Sequence, residues 1–472
     1  MIPNKIIKNI RFGLATNSSS SHSIIHNEKL SSDSKDGYVN AEFGWDFFTA
    51  STAAEREAYM MLQLKLNLPR ICGNAINVFM KYEGIEKPKI SNGYIDHDSV
   101  IPLPKEKYRK EVNLDFFNEY ARYIIDGNFV ILGGNDNTDE SHPLSDKDDG
   151  KKESYMWTFK EDDVAFKNNN YWVVMNKNRK MRISFTEEKL KPENPELIDL
   201  KITDYCDAGC NFCYQGSTET GLHANLDAIK SIIDMVPYSF KMEFAIGGGE
   251  PTAHPDFAKI LHRIGTSNVA NFTTKSTAWM KDKEKLKAVK EFVSGIAYSP
   301  DTVEDAVSFI LKHDKYVGDN VAAYLHIIPE IWTMENLELL RETVEELNKW
   351  NCPVRNSSSR VSITMLGYKT TGRGKGRIVS KIDGLIDHIK KYRMTKVGVD
   401  TKIVNDYSKE LAESKIDNRL FTTAEGEFSM YIDAVKELAY KSSYELDNPV
   451  NIRTDNRTYR ISRNLKDIFN EI

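Results

Sequence analysis

From residue 197 onward the chain repeats one pattern: a short extended apolar segment, a longer amphipathic one, then an extended one again. Strand patterns fall at 198–202, 242–246, 270–274, 295–299, 322–328 and 361–365. Helix patterns lie between them, among them 224–235, 284–293, 302–313, 335–350 and 382–392. Strands that alternate with helices over short connections pair in parallel, and right-handed crossovers wind them toward a barrel. Six βα units are fewer than the eight that close one. The spacing therefore predicts an α/β fold built on a partial (βα)6 barrel, with functional residues just after the strands, where the strand-to-helix loops converge.

Directly after the first of these strands comes TDYCDAGCNFCYQ, which puts Cys206, Cys210 and Cys213 in one loop at C-x3-C-x2-C spacing. A loop can wrap three thiolates around one centre. Thiolates suit zinc or iron-sulfur clusters, and a cubane of four irons held by only three cysteines keeps one iron without a protein ligand. After the second strand the chain reads GGGEP. Gly247, Gly248 and Gly249 lack Cβ atoms, so their backbone can approach a ligand closely. Pro251 fixes the chain as it leaves the strand.

These two motifs, CDAGCNFC and the GGGEP one strand later, resemble the radical S-adenosylmethionine (SAM) superfamily, over about residues 190 to 400. The resemblance implies one [4Fe-4S] cluster on Cys206, Cys210 and Cys213, with SAM chelating the open iron through its amino and carboxylate groups. An electron from an external donor then breaks a sulfur-carbon bond of SAM, and the 5′-deoxyadenosyl radical released abstracts hydrogen from a substrate. By the same resemblance Phe212 packs beside the cluster or the adenine. Gly247, Gly248 and Gly249 receive the SAM amino group, and Glu250 answers its ammonium charge. Ser299 matches a position that hydrogen-bonds the SAM ribose, and it equally fits a cap on the helix starting near Thr302. Glu330 remains from the adenine-binding pattern, whereas Ala323 and Ile327 replace its glycines; Thr273, Thr274 and Lys275 carry no assigned role. Arg373, in LGYKTTGRGKGR, is a candidate for the SAM carboxylate or for substrate, because a guanidinium pairs bidentately with a carboxylate. Its plain alternative is a solvated loop cation.

The rest of the chain is less specific. Residues 1–134 mix extended stretches at 24–26 and 129–132 with a helix pattern at 53–66, an N-terminal α+β domain of unknown role. Residues 135–154 are nearly devoid of large apolar side chains and read as a linker or surface loop. Within 155–190, the segments 171–175 and 181–185 flank a polar turn and form a β-hairpin lead-in to a core at 191–400. A C-terminal extension, 401–472, follows, in which 425–444 mixes a strand and a helix pattern. The serine run closed by histidine at 16–23 resembles the openings of some phage and bacterial proteins, pointing to a phage or prokaryotic origin. That run, and Asp96, His97 and Asp98 with GGNDN at 133–137, fit either solvated turns or recognition of substrate or partner. Cys72 and Cys352 stand alone as small apolar side chains, so a single cluster is expected.

Composition removes several classes. The 472 residues carry 64 Lys and Arg against 69 Asp and Glu, a net charge of −5, so no basic field advertises nucleic acid, which is not expected as a partner. The basic stretch at 453–463 reads as charged surface. No run of about 18 apolar residues offers a membrane span. The N-terminus breaks its apolar pattern before a secretory core of about 7 residues can form. Three cysteines crowd together instead of spreading as a disulfide framework, which fits a reducing cytoplasm. The substrate is left open among peptide, protein and small molecule. The competing reading is a zinc-stabilised binding or scaffold protein, with His223 completing a three-cysteine, one-histidine site. Methyl transfer from SAM without a cluster gives the cysteines no task.

Overall fold

The computed structural model describes residues 7–8, 23–26, 39–43, 48–67, 90–95, 114–126, 129–133, 164–177, 180–186, 188–349, 352–355, 360–377, 379–414, 425–452, 461 and 463–472. Cys72, the 135–154 segment, residues 96–98 and most of 16–23, 133–137 and 453–463 lie outside them. The contacts divide the chain into two units, Met1–Leu190 and Lys191–Ile472. No described helix is long and apolar enough to cross a membrane.

The first unit contains β1 (Ile7–Lys8), β2 (Ser23–His26), β3 (Val39–Phe43), β4 (Phe48–Ala50), β5 (Ile90–Ile95), β6 (Phe129–Gly133), β7 (Val164–Asn168), β8 (Tyr171–Met175) and β9 (Lys180–Ile183), with helices Ala53–Asn67 and Leu114–Asp126. They pair as the sheets β1-β9-β8-β7, β2-β6-β4 and β3-β5. The YWVVM of β8 is β-branched and aromatic, and every residue of it is buried. Asn169, at φ +62°, makes the turn from β7 into β8. Phe116 of the second helix meets the edge of Trp172 at 5.2 Å between ring centroids, tying that helix to the sheet.

In the second unit β10 (Leu197–Thr203), β11 (Glu243–Gly248), β12 (Val269–Thr274), β13 (Val293–Tyr298), β14 (Ala322–Ile327), β15 (Ser362–Met365) and β16 (Val397–Val399) lie side by side in chain order, all parallel. Helices Leu226–Ile233, Phe257–Gly265, Lys283–Phe292, Val303–Tyr316, Met334–Leu347 and Leu385–Lys390 fill the crossovers. Asn225, Asp282, Thr302 and Thr333 start four of them by accepting amide hydrogens of the first turn. Because the strand order never reverses, right-handed crossovers place all these helices on one side of the sheet. That is the arrangement of a partial barrel, and among the described residues no strand closes it.

Alternation along the strands follows from this. Ile198, Leu200 and Ile202 of β10, Phe244 and Ile246 of β11 and Leu325 and Ile327 of β14 face the helices and are fully buried against residues such as Ile260, Phe309 and Leu340. Asp199, Ala245, Asn271, Tyr324, His326 and Thr364 point to the opposite, inner face and are half-buried.

The C-terminal extension adds strands to the same sheet. β17 (Ser429–Asp433) pairs in parallel with the free side of β10, and β18 (Leu438–Tyr440) and β19 (Val450–Asn451) follow antiparallel. The mixed pattern at 425–444 is a strand, a turn and a second strand, without a helix. Met430, Tyr431 and Ile432 are buried there because the unpaired edge of β10 offers them a sheet to join.

Candidate functional site

β10 delivers the cysteines. After Thr203 the chain leaves the strand end and returns to it: Asp204 N donates to Leu222 O at 2.8 Å, Cys206 N to Thr218 O at 2.9 Å and Ala224 N to Ile202 O at 2.9 Å. Cys206, Cys210 and Cys213 stand on this loop as half-buried free thiols. Cys213 N donates to Cys210 O at 3.3 Å, turning the chain between the second and third cysteines. Burial pushes the Cys206 thiol up, opposed by the Ala208 amide; Glu250 and the Cys213 and Cys210 thiols push it further. The three sulfurs thus share one electrostatic neighbourhood.

β11 brings the glycines against the start of this loop. Gly249 N donates to Thr203 O at 2.8 Å and Glu250 N to Tyr205 O at 2.7 Å. A Cβ on Gly248, which sits at φ +113°, would stand 2.3 Å from Thr203 O, and one on Gly249 would stand 2.0 Å from Tyr205 O. These two glycines are therefore demanded by the close approach of two stretches of backbone. Around Gly247 a Cβ would meet nothing within 4 Å, so open space lies over it on the inner face.

Glu250 is buried and bonded within the chain. Its Oε1 accepts from Thr252 N at 3.2 Å, Thr252 Oγ1 at 2.5 Å and Thr274 Oγ1 at 2.7 Å, and its Oε2 from Lys275 N at 3.0 Å. Burial pushes this carboxyl up, and those donors oppose the rise. Thr274 and Lys275, which carried no role in the sequence reading, receive one here: they tie the end of β12 to the glycine turn. Lys275 also pairs with Asp301, and its ammonium lies 5.8 Å from the centre of the Phe212 ring. Ser299 N donates to Thr274 O at 3.2 Å, which joins the end of β13 to the same row. The helix after β13 is capped by Thr302, whose Oγ1 accepts from Asp305 N, so the capping role offered to Ser299 falls to Thr302.

Arg373 is engaged with the cysteine loop. Its Nε donates to Cys210 O at 2.8 Å and its Nη1 to Ser217 O at 2.6 Å, so the plain alternative of a solvated cation does not hold. Glu330 closes β14 in a short 3-10 turn, and its Oε2 is enclosed without a hydrogen-bond partner among the described residues. Ala323 and Ile327 face the core.

The inner face carries groups that the motifs do not announce. Burial pushes the Asp199 carboxyl up to about 6, opposed by Lys369 and reinforced by Glu425. Burial, with Lys369, pushes the His326 imidazole down to about 4. The Lys369 ammonium lies between the rings of Tyr214 and Tyr444, at 4.6 and 4.8 Å from their centres. A signal existed: Asp199 and His326 are polar residues alternating with the apolar, outward-facing residues of their strands.

The donor set fits an iron-sulfur cluster. Three free thiols share one loop, and in a cubane each thiolate binds its own iron. A single metal ion is served less well: among the described residues no group of three or more His, Cys, Asp or Glu converges on one position. His223 is turned to Thr203, with Nδ1 2.8 Å from its Oγ1, and packs against Tyr205 and His254. The competing three-cysteine, one-histidine zinc site is not assembled among the described residues.

Residues 200–342 match the family model of the Radical SAM superfamily. A GTP 3′,8-cyclase of Mannheimia succiniciproducens is 31% identical over 115 residues, 23% of this chain and 33% of the relative, so the match spans a third of that relative's length. Among solved structures, Streptococcus suis SuiB bound to S-adenosylmethionine is similar at 14% identity, over 59% of this chain and 66% of that one, with a TM-score of 0.43. SuiB bound to precursor peptide SuiA is similar at 14% identity, over 88% and 81%, with a TM-score of 0.45. The segment from residue 200 to residue 342 is thus similar to the radical SAM superfamily, whose members are enzymes that use a [4Fe-4S] cluster and SAM.

Proposed function

We propose that this chain is a radical SAM enzyme in which Cys206, Cys210 and Cys213 hold one [4Fe-4S] cluster and the strand end at Gly247, Gly248, Gly249 and Glu250 seats SAM. The observation that carries the reading is the junction of the two motifs. Gly249 N and Glu250 N donate to Thr203 O and Tyr205 O, setting the glycine turn beside the loop that carries the thiols, at the C-terminal ends of adjacent parallel strands.

When bound, cluster and SAM supply a one-electron reductive cleavage that yields a 5′-deoxyadenosyl radical, which takes hydrogen from the substrate. The chain's own residues bind, orient and shield. Gly247 leaves room over the strand end, and Lys275, just after β12, faces the Phe212 ring of the cysteine loop. Glu250 holds the turn through its four donors, leaving spare acceptor capacity on Oε2 for a ligand ammonium. Ser299, bonded to Thr274 at the end of β13, would hold the SAM ribose. Water is limited by the half-buried setting of the thiols. An external electron donor completes the system, and the substrate, a peptide, protein or small molecule, occupies the inner face.

Anaerobic reconstitution of the full chain tests this. About four irons per chain and formation of 5′-deoxyadenosine are expected from the native sequence, with both lost in Cys206→Ala, Cys210→Ala and Cys213→Ala. Undiminished 5′-deoxyadenosine in those variants would end the proposal.

A further inference from the structure

We propose that Arg373 is a positioning residue: it fixes the cysteine loop in its ligand-ready shape, and its charge raises the reduction potential of the cluster bound there. The inference rests on the cluster reading above.

The loop that follows β15 reaches across to the cysteine loop and bonds its backbone at consecutive points. Arg373 N donates to Cys213 O at 2.9 Å, Arg373 Nε to Cys210 O at 2.8 Å, Arg373 Nη1 to Ser217 O at 2.6 Å and Thr371 Oγ1 to Tyr214 O at 3.1 Å. Two of the acceptors are carbonyls of the cysteines themselves. Between Cys206 and Cys213 the cysteine loop has no helix or strand, and Asp207, Ala208, Gly209 and Asn211 are exposed. Such a segment holds one shape only if something outside it supplies the bonds, because each residue it fixes costs conformational entropy. Arg373 does so from more than 150 residues away in the chain.

Residue type matters at two positions. The guanidinium presents Nε and Nη1 as a rigid planar fork, so one side chain spans two carbonyls, which a lysine ammonium on a flexible stem does not reproduce. Gly372 sits at φ +54°, and a Cβ there would stand 2.4 Å from Tyr214 O and 2.6 Å from Cys213 O. The strap approaches closely enough to bond only because that Cβ is missing. Nη2 makes no hydrogen bond with a described residue and stays available to an anionic ligand. A guanidinium is a cation, and a fixed positive charge beside an iron-sulfur cluster favours its more negative, reduced state.

The test uses the full-length chain, anaerobically reconstituted, as native protein and as Arg373→Met, Arg373→Lys and Gly372→Ala. Two properties of the cluster are read: its rate of iron release to a chelator and its midpoint potential. Arg373→Met should release iron about tenfold faster, as expected for losing hydrogen bonds from a charged donor, and should have a more negative potential. Arg373→Lys should release iron faster while keeping a potential near the native one, since it loses the fork but keeps the charge. Gly372→Ala should share the faster release, with a potential shifted less than in Arg373→Met, since it displaces the guanidinium without removing its charge. Hydrogen exchange on the cluster-free chain reads positioning alone: in Arg373→Met the amides of the cysteine loop should exchange faster while β10 to β15 keep their protection. Native release and potential in Arg373→Met would overturn the proposal and leave the cluster reading standing. Loss of protection across the whole sheet would show Arg373 to be a general structural residue and would overturn it too. A native chain that takes up no cluster overturns both readings together.

Discussion

The two faces of the parallel sheet are built on opposite principles. On the outer face, Leu200, Phe244 and Leu325 meet helices through apolar contact alone and are fully buried. On the inner face the same strands present Asp199, Asn271, His326 and Thr364, and several positions between them, Ala245, Gly247, Gly295 and Ala297, are small. The outer face supplies stability through area removed from water. The inner face keeps charged and polar groups in a sheltered space with small residues as its floor, an arrangement that favours a ligand over packing. One strand therefore serves fold and site together, through residues one position apart.

The strongest challenge to this contrast is a matched pair of substitutions. Phe244→Ala should cost about 3 to 5 kcal/mol, read by urea unfolding, through lost transfer energy and a cavity. Its neighbour Ala245→Ser should stay within about 0.5 kcal/mol of native, because it opens on the inner face. Equal losses would mean that both faces are packed core.

Lys201 is the exception that sharpens the rule. It lies on the inner face, is buried, and pairs with Asp433 of β17 at 3.0 Å and also with Asp204 at the start of the cysteine loop. Lys201→Met removes the nearer of the two ammoniums paired with buried Asp433, leaving Lys436 at 3.8 Å, and should cost about 3 kcal/mol. A loss confined to protection of β17, seen by hydrogen exchange, would show that the pair clamps the C-terminal strand alone.

Asp199 gives the pH dependence. Its folded value, about 6, lies above the ordinary carboxyl value. Its contribution to stability is therefore fully present below the unfolded value near 3.9 and is lost as pH rises through 6. Asp199→Asn should accordingly raise stability by about 3 kcal/mol at pH 7.5 and by nothing at pH 3.5. His326 runs the other way, contributing fully above about 6.5 and losing that contribution as pH falls through 4. The smallest effect belongs to Thr302→Ala, which removes the cap of the helix after β13 and should cost about 1 kcal/mol without touching the inner face.

Much of this was legible in the sequence because period-2 and period-3.6 patterns report burial, and burial on the outer face is uniform. The six strands from 198 to 365 and the helices between them follow from that alone. The 425–444 segment was ambiguous because MYIDAVKELAY satisfies both periods, and only the open edge of β10 decides for strands. β16, Val397–Val399, is too short to leave a pattern. In the site, the thiols and glycines were visible as motifs, but their partners were not. Gly248 and Gly249 are fixed by contact with Thr203 and Tyr205, and Arg373 by carbonyls far back in the chain. Glu250 reads as a free acid until Thr274 and Lys275 arrive from the next strand. Contacts of this kind are properties of the folded sheet, and local spacing does not carry them.

The central claim is that three thiolates hold one cluster whose open iron is presented to SAM at the glycine turn. Electron paramagnetic resonance of the reduced, reconstituted chain, recorded before and after addition of SAM, tests it most directly. The account predicts a single [4Fe-4S] signal that changes on adding SAM, because the open iron gains a ligand. A signal indifferent to SAM, or a colourless protein carrying zinc in place of iron, would contradict it.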